Sequence, residues 1–383
     1  MHKTAEALSE FERNLQYHFS EVLEYPFAKP HWIYISLSHA CTFNCRMCGV
    51  VKILKGYELP AAGVKRALDE IKGWQRDCAI VFTGGEPFLR KDIFELIAHA
   101  AQNGLTTEAV SNGSLIDRDL AERIVSSGLK NIAVSLDGAT EQTHDFIRQK
   151  GAYSKALCAL RCLVEAKKKH PRGPQISVWT TIMKENVREL SAVIPLVQGL
   201  GVECLVYHPV IVAQDDMQNT SPDAPFWIRG DDLDVLKGQI DTIVEFQRRN
   251  GLVAFLHDPY LWIDYFRGTL SKQTWKCNPF VFLNIGPDGD ARSCGAAFGN
   301  IQKATLGDCL KSPEAHASRR LMKACRKPCL QTCWAHPESD SLPAIIGSFL
   351  EKIKDDPRRA QLLRQALRML EKFEDEVSAY KND

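Results

Sequence analysis

The stretch Trp32-Ile-Tyr-Ile-Ser-Leu37-Ser-His-Ala-Cys41-Thr-Phe-Asn-Cys45-Arg-Met-Cys48 governs the reading of the whole chain. Its first six residues are largely β-branched, apolar or aromatic, the signature of a buried strand. Three cysteines follow at once with C-x3-C-x2-C spacing, so three thiolates can converge within one loop. A strand that delivers metal-ligand chemistry at its carboxyl end is the arrangement of parallel α/β folds.

Working outward, the same alternation repeats. Candidate strands are Trp32–Leu37, Ala79–Thr83, Thr106–Ser111, Ile132–Leu136, Ile176–Ile182 and Glu203–His208. Candidate helices between them are Ala61–Gln75, Lys91–Gln102, Asp117–Ser127, Tyr153–Lys169 and Val187–Gln198. Apolar residues in Asp92-Ile-Phe-Glu-Leu-Ile-Ala recur at the i, i+3, i+4 spacing of a helix packed on a sheet. Parallel strands joined by right-handed crossovers are implied, and the fold class is α/β, a partial (β/α)6 barrel. The alternation is read as fading after His208, short of a full eight-unit barrel.

Beyond a turn-rich stretch around Asn219–Asp231, a long helix is expected over Asp232–Asn250, followed by a hairpin of Phe280–Ile285 and Ala291–Cys294 about Pro-Asp-Gly. From Leu342 onward the pattern is charged and helical, fitting a covering or oligomerising helix pair. The expected divisions are an N-terminal helical segment (1–30), the barrel (31–225) and a helical connection (226–276). A cysteine-rich α+β extension (277–340) and a helical tail (341–383) complete them.

Bulk composition narrows the function. With 383 residues, 45% of them hydrophobic, the chain can fill one large core or two modest ones. A net charge of +1 argues against a nucleic-acid groove. No run approaches the eighteen or so apolar residues of a membrane span. The N-terminal stretch lacks the apolar run of a signal peptide, so a cytoplasmic location is expected. Thirteen cysteines in that compartment read as metal ligands or reactive thiols rather than bridges.

Four-iron clusters usually take four thiolates, so three from one loop leave one iron open. The alternative is a zinc loop, although zinc loops pair C-x2-C with a second pair close by. A second element, Thr83-Gly84-Gly85-Glu86-Pro87, ends the second strand; its glycines admit close backbone approach and Glu86 can accept from an ammonium. Together, the Cys41/Cys45/Cys48 loop and Gly84-Gly85-Glu86 resemble the signature of the radical S-adenosylmethionine (SAM) superfamily.

That resemblance implies that Cys41, Cys45 and Cys48 hold a catalytic [4Fe-4S] cluster whose open iron chelates SAM. It also implies SAM contacts from Met47, Gly84, Gly85 and Glu86, and from Ser111, Asn112, Ser135 and Asp137 at the third and fourth strand ends. Arg148 resembles an arginine that pairs with the SAM carboxylate. Thr180 and Asn186 lie near the fifth strand's end and read equally well as a turn or cap. Cys277, Cys294, Cys325, Cys329 and Cys333 resemble the ligands of a C-terminal SPASM/twitch extension, with one auxiliary [4Fe-4S] cluster as the expected count. A structural zinc site drawing on His336 is the alternative. Cys78, Cys158, Cys162 and Cys204 are read first as core packing, and Cys158 with Cys162, four apart on a helix, as a possible metal pair.

The resemblance further implies reductive cleavage of SAM to a 5′-deoxyadenosyl radical and hydrogen abstraction from substrate, with a reductase or a flavodoxin/ferredoxin-type protein as electron donor. Tyr207, His208, Asp215 and Asp216 fall where substrate-facing groups are expected, with His208 as base and Cys204 as a thiol on the same strand face. The leading expectation is oxidation or epimerisation of a polar small molecule such as a sugar, aminocyclitol or nucleotide sugar. The alternative is modification of a ribosomally made peptide or protein, disfavoured because only about 30 residues precede the first strand. A non-catalytic iron–sulfur carrier is the reading of another class.

Overall fold

Strand β1 (Trp32–Ser36) lies in the interior of one ten-stranded sheet, not at its edge. The computed structural model describes the chain outside residues 1, 51–55, 75–77, 212–224, 271–275, 278, 295, 326–328, 331–333, 336–340 and 383. On one side of β1 follow β2 (Ala79–Thr83), β3 (Thr106–Ser111), β4 (Asn131–Ser135), β5 (Gln175–Ile182) and β6 (Cys204–Pro209), each parallel to the last. Crossover helices α2 (Ala61–Ile71), α3 (Ile93–Gln102), α4 (Arg118–Ser126), α5 (Glu141–Ile147), α6 (Ala152–Lys169) and α7 (Val193–Gly199) cover the outer face. Ile33, Ile35 and Leu37, with Ile80, Phe82, Ile132, Val134, Ile176 and Val178, are buried against them in one core. Alternation then places Tyr34, Asn112, Asp137, Trp179 and His208 on the inner, lumen face.

Three features depart from expectation. The alternation does not fade at His208, because α8 (Asp232–Asn250) leads into β7 (Val253–Phe255), which pairs parallel with β6. The predicted helix from Val187 begins only at Val193, after a run of turns. The helix starting at Ala61 ends at Ile71, and Gln75 lies outside the described residues.

The C-terminal extension is continuous with the barrel sheet. After α9 (Leu261–Arg267) and β8 (Lys276–Cys277), β9 (Phe282–Ile285) pairs parallel with β1, and β10 (Asp290–Arg292) and β11 (Ala297–Asn300) add antiparallel beyond it. The expected hairpin is therefore present, turning through Gly289 at φ +85°, but it widens the barrel wall. Helices α10 (Leu306–Lys311) and α11 (Pro313–Ala324) follow, and β12 (Trp334–Ala335) pairs with β8. The tail helices α12 (Leu342–Lys352) and α13 (Arg359–Asn382) close on α1 (His2–Leu23). They share a second core in which the Phe11 and Phe349 rings lie 4.5 Å apart. No helix among the described residues is long and apolar enough to cross a membrane.

Candidate active site

The cysteine loop leaves β1 and is clamped at once. Gly85 N–H donates to Ser38 O and Glu86 N–H to Ala40 O, each at 2.8 Å, so the turn after β2 is zipped to the segment entering Cys41. A Cβ on Gly84, which has φ +131°, would sit 2.3 Å from Ser38 O, and one on Gly85 would sit 2.0 Å from Ala40 O. The glycines thus admit the backbone of the cysteine loop, where the sequence suggested close approach of a ligand. At the loop's far side Arg46 N–H donates to Ile147 O at 2.9 Å, and its guanidinium lies 4.2 Å over the Phe146 ring. Phe43 and Cys45 are buried with Ala152 at the start of α6, and Cys41, Met47 and Cys48 pack against them.

Burial pushes the Cys41 thiol above its ordinary value and that of Cys45 up to about 11, and the nearby Cys48 sulfur adds to both. Ligation would replace those protons and release them. Among the described residues no three His, Cys, Asp or Glu side chains could hold a single metal ion. Cys41, Cys45 and Cys48 supply three thiols from one loop. That donor set suits a cluster in which each sulfur takes its own iron better than a mononuclear zinc site.

Beside the loop, Glu86 is 2% exposed. Its carboxylate accepts from Asn112 N–H at 2.8 Å, Ser111 Oγ at 3.0 Å and Phe88 N–H at 3.3 Å. Burial raises its pKa to about 7 against those donors. Both carboxylate oxygens are thus engaged, Oε1 by Ser111 and Phe88 and Oε2 by Asn112, leaving limited acceptor capacity for any ligand cation. Asn112 in turn donates from Nδ2 to Thr42 Oγ1 at 3.1 Å and Cys41 Sγ at 3.5 Å. Asn112 is thus tied to the cysteine loop, and Ser111 to Glu86.

Asp137, just beyond β4, organises the opposite wall. Its Oδ2 accepts from Arg148 Nε at 2.6 Å and its Oδ1 from Thr181 N–H at 2.8 Å, while its own N–H donates to His144 Nδ1 at 3.0 Å. Burial opposes ionisation of this carboxyl, yet Arg148 and His144 outweigh it and hold the pKa below the usual value. Burial lowers His144 to about 4, so it is neutral and its Nδ1 is free to accept. Arg148 is buried between Asp137 and the Cys45 and Cys48 thiols, which together raise its pKa despite burial. Thr181 Oγ1 lies 3.4 Å from His208 Nε2, and the Trp179 and His208 rings meet edge-on at 5.9 Å. Burial lowers His208 below its ordinary value, favouring a neutral imidazole.

Other sequence-selected residues separate from this mouth. Tyr207 faces the helices, fully buried, and donates to Leu190 O at 2.6 Å, because alternation sends it opposite to His208. Cys204 shares the lumen face with His208 but opens β6, at the amino end of the strand, in register with Ser177. Thr180 and Asn186 are structural: Thr180 bonds Leu136 O, and the Asn186 amide ties Asp137 O to Thr181 O, each bond at 2.7 Å. Ser135 closes β4 opposite Trp179. Asp215, Asp216, Cys333 and His336 lie outside the described residues. His144, Trp179 and Thr181 were not singled out. The signal for the last two is their period-two spacing on β5, which puts both on the lumen face.

In the extension, β8 carries Cys277 opposite Trp334 of β12, next in sequence to Cys333. Cys325 caps the carboxyl end of α11. Cys309 is buried, and a Cβ on Gly299 would lie 2.5 Å from its sulfur, so it packs against β11.

Residues 35–194, which hold the cysteine loop, the Gly-Gly-Glu turn and the Asp137–Arg148 wall, match the family model described as the radical SAM superfamily. The chain carries a radical SAM domain. The cofactors of that family are SAM and a [4Fe-4S] cluster. The chain is 28% identical over 232 residues to the Fe-coproporphyrin III synthase of Methanosarcina barkeri, covering 60% of this chain and 55% of that protein. It is 25% identical over 318 residues to the PqqA peptide cyclase of Granulibacter bethesdensis, covering 78% and 79%. The chain thus spans about half the length of the first curated relatives it matches. Among solved structures, anSMEcpe with bound AdoMet and Cp18Cys peptide superposes at TM-score 0.60 and 17% identity, over 89% of this chain and 99% of that one. Streptococcus suis SuiB bound to the precursor peptide SuiA gives 0.61 at 14% identity, over 85% and 79%. These two establish likeness of fold.

Proposed function

We propose that this chain is a radical SAM enzyme that modifies a ribosomally made peptide or protein. The observation that carries this reading is the extent of the matches. Likeness to the PqqA peptide cyclases runs over 318 and 320 residues. Likeness to the haem-pathway synthases stops at 232 residues or fewer. The comparisons therefore favour the peptide alternative over a sugar or aminocyclitol substrate. Oxidation, epimerisation and cross-linking are all outcomes open to the same site.

In this reading Cys41, Cys45 and Cys48 hold the catalytic cluster. Cys277, Cys294 and two of Cys325, Cys329 and Cys333 hold one auxiliary cluster. When bound, the cluster and SAM supply a reductive cleavage that yields a 5′-deoxyadenosyl radical. The chain's own residues do the rest. Asn112 and the Gly84–Gly85 turn set the approach of the cysteine loop, and Met47 packs beneath it. Glu86 and Ser111 fix the β3 rim of the SAM cradle, while Ser135, Asp137 and Arg148 form the facing rim. Arg148 presents a fixed positive charge for a carboxylate, oriented through its Nε by Asp137. Neutral His208, held against Trp179 and Thr181, is placed to take a proton from substrate in the lumen. Cys204, at the lumen floor, is remote from that proton transfer and is not assigned a step.

The test is SAM turnover under anaerobic, reducing conditions with three probes: a synthetic peptide library, coproporphyrin and a panel of nucleotide sugars. Peptides that raise 5′-deoxyadenosine formation at least tenfold above the substrate-free rate, and that change mass, support the proposal. Stimulation by coproporphyrin or a sugar alone contradicts it.

A further inference from the structure

Away from the barrel mouth, α4 and α6 pack side by side on the outer wall and leave between them a groove of about 780 Å³. Its lining includes Cys158 and Cys162, one turn apart on α6, together with Arg118, Arg161, Glu165 and Lys169. Cys158 is exposed, while Cys162 is half-buried, packing against the main core and also lining the groove. Burial and the neighbouring Cys158 push the Cys162 thiol above its ordinary value, and Asp117 adds to this while Arg118 opposes it.

Spacing decides what such a pair can do. Residues four apart on a helix hold their Cβ atoms about 5–6 Å apart. A disulfide requires about 3.5–4.5 Å, so closing one here would distort α6. A metal bridging the two sulfurs through bonds of about 2.3 Å spans up to about 4.6 Å between them, which the undistorted helix accommodates. Coordination number narrows the class further. Among the described residues no third His, Cys, Asp or Glu side chain completes a metal site. Zinc asks for four ligands and hard cations for oxygen-rich shells, whereas soft thiolates with few partners select copper(I).

We propose that Cys158 and Cys162 form a two-coordinate thiolate site for a soft monovalent cation of the copper(I) class, in the groove between α4 and α6. Binding replaces two S–H protons with one cation and leaves a dithiolate complex of charge −1. Arg118 stands beside Cys162 and Glu165 to offset that charge. The site is independent of the radical chemistry and uses none of its residues.

The test uses the cluster-loaded protein, anaerobically, with copper(I) buffered by bicinchoninate. Wild type should withdraw one more equivalent of copper(I) than the Cys158→Ser/Cys162→Ser variant, with iron content unchanged in both. Because Cys162 is half-buried, Cys158→Ser alone serves as a second variant, and it should lose the same equivalent. X-ray absorption should place two sulfur neighbours, and no others, on the metal. Equal copper uptake by all three proteins overturns the proposal. One equivalent of zinc(II) retained through dialysis by wild type and lost by both variants would overturn the two-coordinate assignment.

Discussion

Arg148 Nε donates to Asp137 Oδ2 at 2.6 Å, with the two side chains 10% and 0% exposed, so the wall facing the cysteine loop is built on a buried ion pair. Removing one partner of such a pair leaves the other charge uncompensated and costs about 3–5 kcal/mol. Asp137→Ala should therefore lower unfolding free energy by about that amount in urea titrations. Asp137→Leu/Arg148→Met should lose less than the sum of its single variants. Strictly additive losses would show that the two side chains act independently.

His144 gives the fold a pH dependence. Its pKa is about 4 in the folded chain, lowered chiefly by burial, against about 6.5 when unfolded. The unfolded chain thus binds more protons between those values, and stability falls as pH drops from about 6.5 toward 4. Between pH 7.5 and 5.5 the expected loss is about 1.4 kcal/mol. In His144→Asn, whose Oδ1 can still accept from Asp137 N–H, that part of the slope should vanish. An unchanged slope, measured by urea midpoint at each pH, would contradict the assignment.

Gly85 and Gly238 make opposite predictions for the same substitution. A Cβ on Gly85 would meet Ala40 O at 2.0 Å, whereas nothing lies within 4 Å of one on Gly238 in α8. Gly85→Ala should displace the entry to the cysteine loop and reduce iron retained per chain by half or more. Gly238→Ala should retain iron fully and add about 0.5–1 kcal/mol of stability. Full iron loading in Gly85→Ala would show that the zipped turn does not position the loop.

His208 is expected to matter to product and not to SAM cleavage. His208→Gln should leave substrate-free 5′-deoxyadenosine formation within about twofold and lower product formation about 100-fold, the usual size of a lost general base. Full product turnover in this variant would remove His208 from the proton transfer.

The strands and the residues at their ends were legible because buried parallel strands carry dense β-branched runs, and chemistry gathers where they stop. Cys41, Glu86, Asn112 and Asp137 all stand just beyond strand ends, where that rule directs attention. Val253–Phe255 escaped because a three-residue strand is shorter than any periodicity window. The short helix Glu141–Ile147 is set by its cap, Thr140 accepting from Thr143 N–H, more than by an apolar stripe. Tyr207 was misplaced because a period of two separates the faces of a strand without saying which face is inside. Asp137 meets Thr181, and Thr181 meets His208, across neighbouring strands. Sheet register creates such pairs, and sequence neighbours do not announce them.

The most direct measurement of the central claim compares wild type with the Cys41→Ala/Cys45→Ala/Cys48→Ala variant for iron content and for 5′-deoxyadenosine formed from SAM under anaerobic reduction. The account predicts about eight irons per chain falling to about four, with SAM cleavage abolished. A variant that still cleaves SAM, or a wild type that never does, would contradict a catalytic cluster at this loop.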